Sequence, residues 1–384
     1  MNLMCPTTVI VTLTLLGTPY GAADTLTPAR PKRYTIPIVD ISGEKQRQVV
    51  VEWGTPTLYQ GHVHTLLMPD GKTLWAVWTH LHAGPCGPIK KSTDGGLTWN
   101  WVNNGPSNLA KIYNCPTIHR LIDPAGKVRL FIFAGNRPQC QGYSADDGQS
   151  WSPMRPNGLN GIVAPMRVVS VEKGQKLLMW YDWGPTDMTT SIWQAESTDG
   201  GLTWAHARQL IADGGASPNE PDVIRSPDGK QLLMLIRVEK GGFNSLYATS
   251  DDEGTTWTAP RELPASLTGH RHNARYAPDG RMVVVMRDTA EFSPTRGSFV
   301  AWVGKYEDII KGREGQYRAK LLHQYSKSNP LDCGYAGLEV LPDGTLVATT
   351  YIKYTPGPEL NSIVSVRFKL SELDAKIATG PQTP

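Results

Sequence analysis

The sequence predicts an all-β chain folded as one six-bladed β-propeller, and two repeats carry that expectation. An eight-residue stretch occurs four times, at residues 92–99, 144–151, 197–204 and 250–257. Its leading serines stand 52, 53 and 53 residues apart, and a regular period just above fifty residues marks blades or solenoid turns set side by side. A second repeat, a turn followed by a short apolar strand, occurs six times and sets the number of blades.

The six turns run in order along the chain. Pro69-Asp70-Gly71-Lys72 precedes TLWAVW, Pro124-Ala125-Gly126-Lys127 precedes VRLFIF, and Glu172-Lys173-Gly174 precedes QKLLMWY. Pro227-Asp228-Gly229-Lys230 precedes QLLMLIR, Pro278-Asp279-Gly280-Arg281 precedes MVVVMR, and Pro342-Asp343-Gly344-Thr345 precedes LVATTY. Each reads as the first hairpin of a blade. In the first four blades another strand then leads to the eight-residue stretch, where Asp accepts from backbone N–H groups and Gly supplies the positive φ of a tight turn. Thr and Trp begin the returning strand, so these residues rivet the fold and perform no chemistry. Blade five instead continues as FVAWVGKYEDII, and blade six ends in SIVSVRFKL. Segment 34–41 or 48–53 is expected to supply a strand that closes the ring against the last blade.

Residues 1–23 read as a signal peptide, apolar from Val9 to Leu16 and small at Gly21-Ala22-Ala23, which predicts a secreted or periplasmic protein. The apolar run is too short for a membrane span. Residues 24–374 form the propeller, without a linker or composition break, and residues 375–384 read as a loose C-terminal tail. With Cys5 removed in the signal, Cys86, Cys115, Cys140 and Cys333 remain; in an exported chain they permit two disulfides in three pairings, and their spacing fits no zinc pattern. A net charge of +3, with no basic run interleaved with aromatics, excludes nucleic acid as the expected partner. No residue pattern requires a metal or organic cofactor.

The pattern S-x-D-x-G-x-[TS]-W resembles the Asp-box of the sialidase (neuraminidase) superfamily, whose members are six-bladed propellers. The repeats and their neighbours cover most of the mature chain. In that family a tyrosine nucleophile is paired with a glutamate that takes its proton, and an arginine cluster clamps the substrate carboxylate. Tyr335 in GYAGLEVLPDG resembles the tyrosine and Glu220 in NEPDVIRSPDG its partner. Arg237, 17 residues after Glu220, and Arg287 on the matching strand of blade five resemble clamp arginines. The resemblance implies an acidic glycan as substrate.

The residues point to the same place by geometry. Inner strands of a propeller line one channel, so equivalent positions converge. Seven residues before each turn proline stand His62, Thr117, Glu220, Arg271 and Tyr335, with blade three's equivalent near Pro165 or Met166. Period-two alternation puts His64, His119, Asp222 and Asn273 on the same face two residues further along. A polar column of this density is either a site or a polar plug satisfied by its own members. Tyrosine, with a pKa of about 10, is a weak nucleophile that needs a base such as Glu220. It suits an anionic sugar, which would repel a carboxylate. Arg237, Arg271 and Arg287 offer planar forks that meet a carboxylate in two parallel hydrogen bonds.

The chain departs from the family pattern in two places. The first inner strand carries Gly61-His62-Val63-His64 in place of Arg-Ile-Pro, and the loop Thr79-His80-Leu81-His82-Ala83-Gly84-Pro85-Cys86-Gly87, where the family usually supplies an aspartate, has no acid. Histidine titrates near 6.5 and can exchange protons at neutral pH, so His62 is the candidate acid/base, and His62 or His64 on one strand with His80 or His82 beyond the next could face one pocket. Two other readings stay open. One is a His/Tyr polysaccharide lyase acting on uronates and recruiting His62, His82, Tyr113, Arg120 and Arg137. The other is a non-catalytic glycan-binding propeller in which Trp78, Trp180 and Trp183 stack on sugar faces. The expected function is sialidase-like exo-glycosidase action, with Tyr335, Glu220 and His62 catalytic. Arg237, Arg271, Arg287, His64, His82, His119, Asp222 and Asn273 are then expected to bind substrate.

Overall fold

The computed structural model describes residues 33–379, without 187. The signal-peptide segment 1–23 lies outside the described residues. Six antiparallel sheets stand around one axis, and each opens with the hairpin anticipated from its turn. The inner pairs are Gln60–Leu67 with Leu74–His80, Thr117–Ile122 with Val128–Ala134, and Val168–Val171 with Lys176–Thr186. Pro218–Arg225 pairs with Leu232–Val238, Gly269–Tyr276 with Met282–Asp288, and Ala336–Val340 with Leu346–Ile352. Ring closure comes from Gln48–Glu52, which adds antiparallel to Ser362–Phe368 as the outer strand of blade six. Ile38–Asp40 adds in parallel to Tyr317–Leu322 of blade five, so both N-terminal segments are used.

The second strands are mainly apolar, apart from polar residues such as Asp182, Arg237 and Arg287 near their ends, because both of their faces are covered by neighbouring blades. Blades one and two meet at Trp75, Ile118 and Ile132, blades three and four at Trp180, Met234 and Ile236, and blades four and five at Leu235, Val284 and Trp302. Trp75, Trp78, Trp180 and Trp302 are fully buried, each contributing roughly 2–3 kcal/mol of apolar burial. Trp78 and Trp180 are therefore core residues and cannot stack on sugar.

The repeated stretch rivets the outer turns of blades one to four. In its second copy the Ser144 hydroxyl donates to Asp146 Oδ1 at 2.7 Å, while the Ser150 N–H and hydroxyl donate to the two Asp146 oxygens at 2.9 and 2.6 Å. These hydroxyl and N–H donors hold the Asp146 carboxyl down to about 2.

Two expectations are corrected. The four described cysteines are buried and unbridged, although Cys86 and Cys140 share one core cluster. Residues from 375 are not a loose tail as far as 379: Leu370–Thr379 is a helix that buries Leu370 and Leu373 against blades five and six. Asp374 there receives Arg281 Nη2 at 2.8 Å and the Tyr317 hydroxyl at 2.9 Å.

Candidate active site

Backbone distortion creates the upper layer of the channel. In blades one, four and five the pairing slips by one residue, between Gly61 and His64, Asn219 and Asp222, and His270 and Asn273. Within each slip stands a residue of the seven-back column in the left-handed region: His62 (φ 34°), Glu220 (φ 48°) and Arg271 (φ 55°). Three non-glycine residues in this conformation cost of order 1–3 kcal/mol each, and a bulge re-aims a side chain that regular alternation would fix elsewhere.

Tyr335 is the centre of this layer. Its hydroxyl donates to Glu220 Oε1, and the same oxygen receives Arg237 Nη1 at 2.8 Å. Arg237 Nη1 also lies 3.3 Å from the Tyr335 hydroxyl, and its Nη2 reaches Glu239. The Arg271 guanidinium stands 4.9 Å from the Tyr335 ring centroid, while the His62 ring stacks on Tyr335 at 4.4 Å. Burial would raise the Glu220 carboxyl, but the Arg237 and Arg271 guanidiniums and the Tyr335 hydroxyl hold it below its usual range. Burial and the Glu220 charge push Tyr335 well above its ordinary value. The resting pair is therefore a phenol donating to a carboxylate, with the acceptor already in place for the proton.

Arg287 lies at the edge of the layer, donating to the Leu331 carbonyl and, at 2.8 Å, approaching His270 Nδ1. Gly334, next to Tyr335 in the chain, packs directly on Arg287: φ there is 96°, and a Cβ would clash with it. Asp288 is occupied by Arg318 at 3.1 Å, so Arg287 is not its structural partner. Arg237 Nε, Arg271 Nη1 and Arg287 Nε are each buried without a hydrogen-bond partner. Three buried guanidiniums with unused N–H groups favour an anion beside Tyr335.

The lower layer is satisfied by its own members. Arg167 grips Asp222 through Nε at 2.7 Å and Nη2 at 2.9 Å, and Asn273 Nδ2 donates to the Ala336 carbonyl at 2.9 Å. His119 Nε2 sits 3.0 Å from Thr117 Oγ1, and His64 Nδ1 accepts from the Ile118 N–H at 3.3 Å. His64 and His119 are buried side by side, ring centroids 5.3 Å apart, and burial pushes both below their ordinary values, His119 to about 3. His64, His119, Asp222 and Asn273, expected to bind substrate, are buried and hydrogen-bonded to their neighbours.

His62, the expected acid/base, is also differently disposed. Its Nδ1 lies 3.0 Å from the Cys115 thiol, and burial, then the charges of His82 and the three arginines, push it well below its ordinary value. A neutral, buried imidazole lying flat on Tyr335 is a poor proton donor. The exposed histidine is His82, whose ring meets His62 edge-on at 4.4 Å.

Four residues at this site had escaped the sequence reading. Arg167 stands two places beyond Pro165, where the column continues into blade three. Asp182 stands on the second strand of blade three, where blades four and five carry Arg237 and Arg287; both its carboxyl oxygens are buried without partners. Burial, with the Glu220 charge, pushes it up to about 7. Asp332 arrives on the loop before Tyr335 and Cys115 on the loop before Thr117, and no periodicity marks either. Among the described residues no group of three or more His, Cys, Asp or Glu could hold a metal ion. No described helix is long and apolar enough to cross a membrane.

No protein-family model and no curated protein matches the sequence. Among solved structures the chain is similar to a protein of unknown function from Dyadobacter fermentans, at 17% identity and a TM-score of 0.62, over 84% of this chain and 98% of that one. It is also similar to the intramolecular trans-sialidase of Ruminococcus gnavus, at 14% identity and a TM-score of 0.55, over 82% and 95% of the two chains. The NanB sialidase of Streptococcus pneumoniae follows at 11% identity and a TM-score of 0.55, over 84% and 70%. Likeness at such identities is one of fold: the chain is a six-bladed propeller of the kind sialidases have.

Proposed function

We propose that the protein is an exo-glycosidase that cleaves the glycosidic bond of an acidic sugar, sialic acid or a relative of it. The observation that carries this reading is the chain Tyr335, Glu220, Arg237 at the centre of the upper layer. As Tyr335 Oη attacks the anomeric carbon its proton passes to Glu220, and Arg237 offsets the negative charge on both. Arg271 and Arg287 complete a cationic wall for the sugar carboxylate, and their unused N–H groups are the donors that such a ligand would satisfy. The similar trans-sialidase from Ruminococcus gnavus is in complex with a carboxylate ligand, oseltamivir carboxylate. His62 then serves as a packing surface that holds the Tyr335 ring.

The polysaccharide-lyase reading has less support. Tyr113 is exposed on the loop beside Pro85, and the Arg137 guanidinium lies over Trp183.

Incubation with sialosides, uronate-containing polysaccharides and neutral glycosides tests the proposal. Release of a reducing acidic sugar by the wild type, abolished in Tyr335→Phe, is expected. Unsaturated uronate products absorbing in the near ultraviolet, or turnover of neutral glycosides alone, would overturn it.

A further inference from the structure

Cleaving an unactivated glycoside requires a proton for the departing oxygen, and neither Tyr335 nor Glu220 can give it while they serve attack. His62 is buried and turned flat against Tyr335. One ring further out stands His82, whose Nδ1 is 3.0 Å from Asp332 Oδ1. The His82 side chain is 56% exposed and that of Asp332 only 12%.

Asp332 is held on several sides. The Tyr59 hydroxyl lies 2.9 Å from both of its carboxylate oxygens, and Gln324 Nε2 and Asn361 Nδ2 donate to its main-chain carbonyl at 2.8 and 2.9 Å. Asn361 Nδ2 also lies 3.4 Å from Oδ2. The loop that presents His82 is fixed as firmly. Leu81 (φ 67°) and Ala83 (φ 52°) flank it in left-handed conformations, the Leu81 N–H donates to the Tyr59 carbonyl at 3.0 Å, and Thr79 Oγ1 donates to the Leu81 carbonyl at 2.9 Å. Tyr59 therefore anchors both members of the pair. Strained backbone on each side of a solvent-facing histidine is explained by a need to aim that side chain.

We propose that His82, oriented by Asp332, is the acid/base of the reaction; this rests on the hydrolytic reading above. In the first step the His82 Nε2 proton passes to the glycosidic oxygen as its bond to the anomeric carbon breaks. Tyr335 Oη bonds to that carbon and its own proton moves to Glu220. In the second step water gives a proton to His82 Nε2 and its oxygen to the anomeric carbon, and departing Tyr335 recovers its proton from Glu220. Asp332 is a positioning residue: it fixes the ring through Nδ1 and balances the imidazolium.

Two glycosides of one acidic sugar separate the outcomes, an aryl glycoside whose phenol leaves without protonation and an alkyl glycoside that needs it. His82→Ala is expected to lose roughly 10²–10⁴-fold in kcat/KM on the alkyl glycoside while losing less than about tenfold on the aryl one. His82→Gln, which keeps a polar contact to Asp332, should show the same split, and Asp332→Asn a smaller one. Equal losses on both glycosides, or none on the alkyl glycoside, overturn the role of His82 while leaving the hydrolytic reading intact, provided Tyr335→Phe is inactive. A wild type that turns over neither glycoside overturns both.

Discussion

His62 lies face to face with Tyr335, the ring centroids 4.4 Å apart and the planes inclined by 23°. Stacking of this kind fixes the ring plane, and with it the direction of the hydroxyl toward Glu220. His62→Phe keeps a flat ring in the same place and should retain most of kcat, whereas His62→Ala should lower kcat roughly 10²-fold by freeing the nucleophile from its aligned geometry. Steady-state kinetics decide, and full kcat in His62→Ala would remove the stacking role.

Arg287 has its Nε buried and unused, and under the proposed function it would meet the substrate's charge. Arg287→Gln should raise KM for the acidic glycoside by roughly 10–10²-fold, the value of a lost charge-assisted hydrogen bond. A neutral analogue lacking the carboxylate should be bound no worse than before. Titration of both ligands against both proteins checks the difference, and an equal loss for the two would mean that Arg287 does not read the carboxylate.

Four buried histidines, His62, His64, His119 and His272, and the partly buried His270 are pushed below their ordinary values, each chiefly by desolvation. The unfolded chain takes up protons at these positions near pH 6.5 and the folded protein does not. Stability is therefore constant above about pH 6.5 with respect to these groups and falls as pH drops below it; for His119, held down to about 3, the loss is about 1.4 kcal/mol per pH unit across that window. His119→Gln should flatten the dependence by one such step between pH 6 and 4.5. Chemical denaturation across that range measures it, and stability that does not change between pH 6.5 and 5 would contradict neutral burial.

Asp182 has the opposite sign. Its carboxyl is pushed up to about 7 from an ordinary 3.8, so the folded state holds the proton that the unfolded state gives up. Its contribution is fully present below 3.8 and is lost as pH rises toward 7. Asp182→Asn should therefore stabilise the protein more at pH 8 than at pH 5, by a difference on the order of 2 kcal/mol. Melting temperatures at the two pH values test this, and a gain no larger at pH 8 than at pH 5 would show that Asp182 is ionised throughout.

The sequence made the blades legible because every turn repeats its Pro, Asp or Gly, and a ring of inner strands has one axis. Equivalent positions had to converge, which is why Tyr335 and Glu220 could be paired across 115 residues. The bulges at His62, Glu220 and Arg271 were not legible, since nothing in Gly-His-Val, Asn-Glu-Pro or His-Arg-His marks a left-handed residue. Alternation alone therefore could not separate the upper layer from the polar belt of His64, His119, Asp222 and Asn273. Asp332 was invisible for a different reason: it comes from a loop, whose course no periodicity records. The terminal helix from Leu370 to Thr379 was missed because only Leu370 and Leu373 of its residues are buried, too few to give an apolar stripe.

The most direct test of covalent attack by Tyr335 uses a fluorinated acidic sugar with a good leaving group, which forms the glycosyl-enzyme quickly and releases it slowly. Intact-mass and peptide-mapping spectrometry should find one sugar on Tyr335 in the wild type, slower labelling in Glu220→Gln, and none in Tyr335→Phe. An active wild type that carries no adduct, or one that carries it on any other residue, would contradict Tyr335 as the nucleophile.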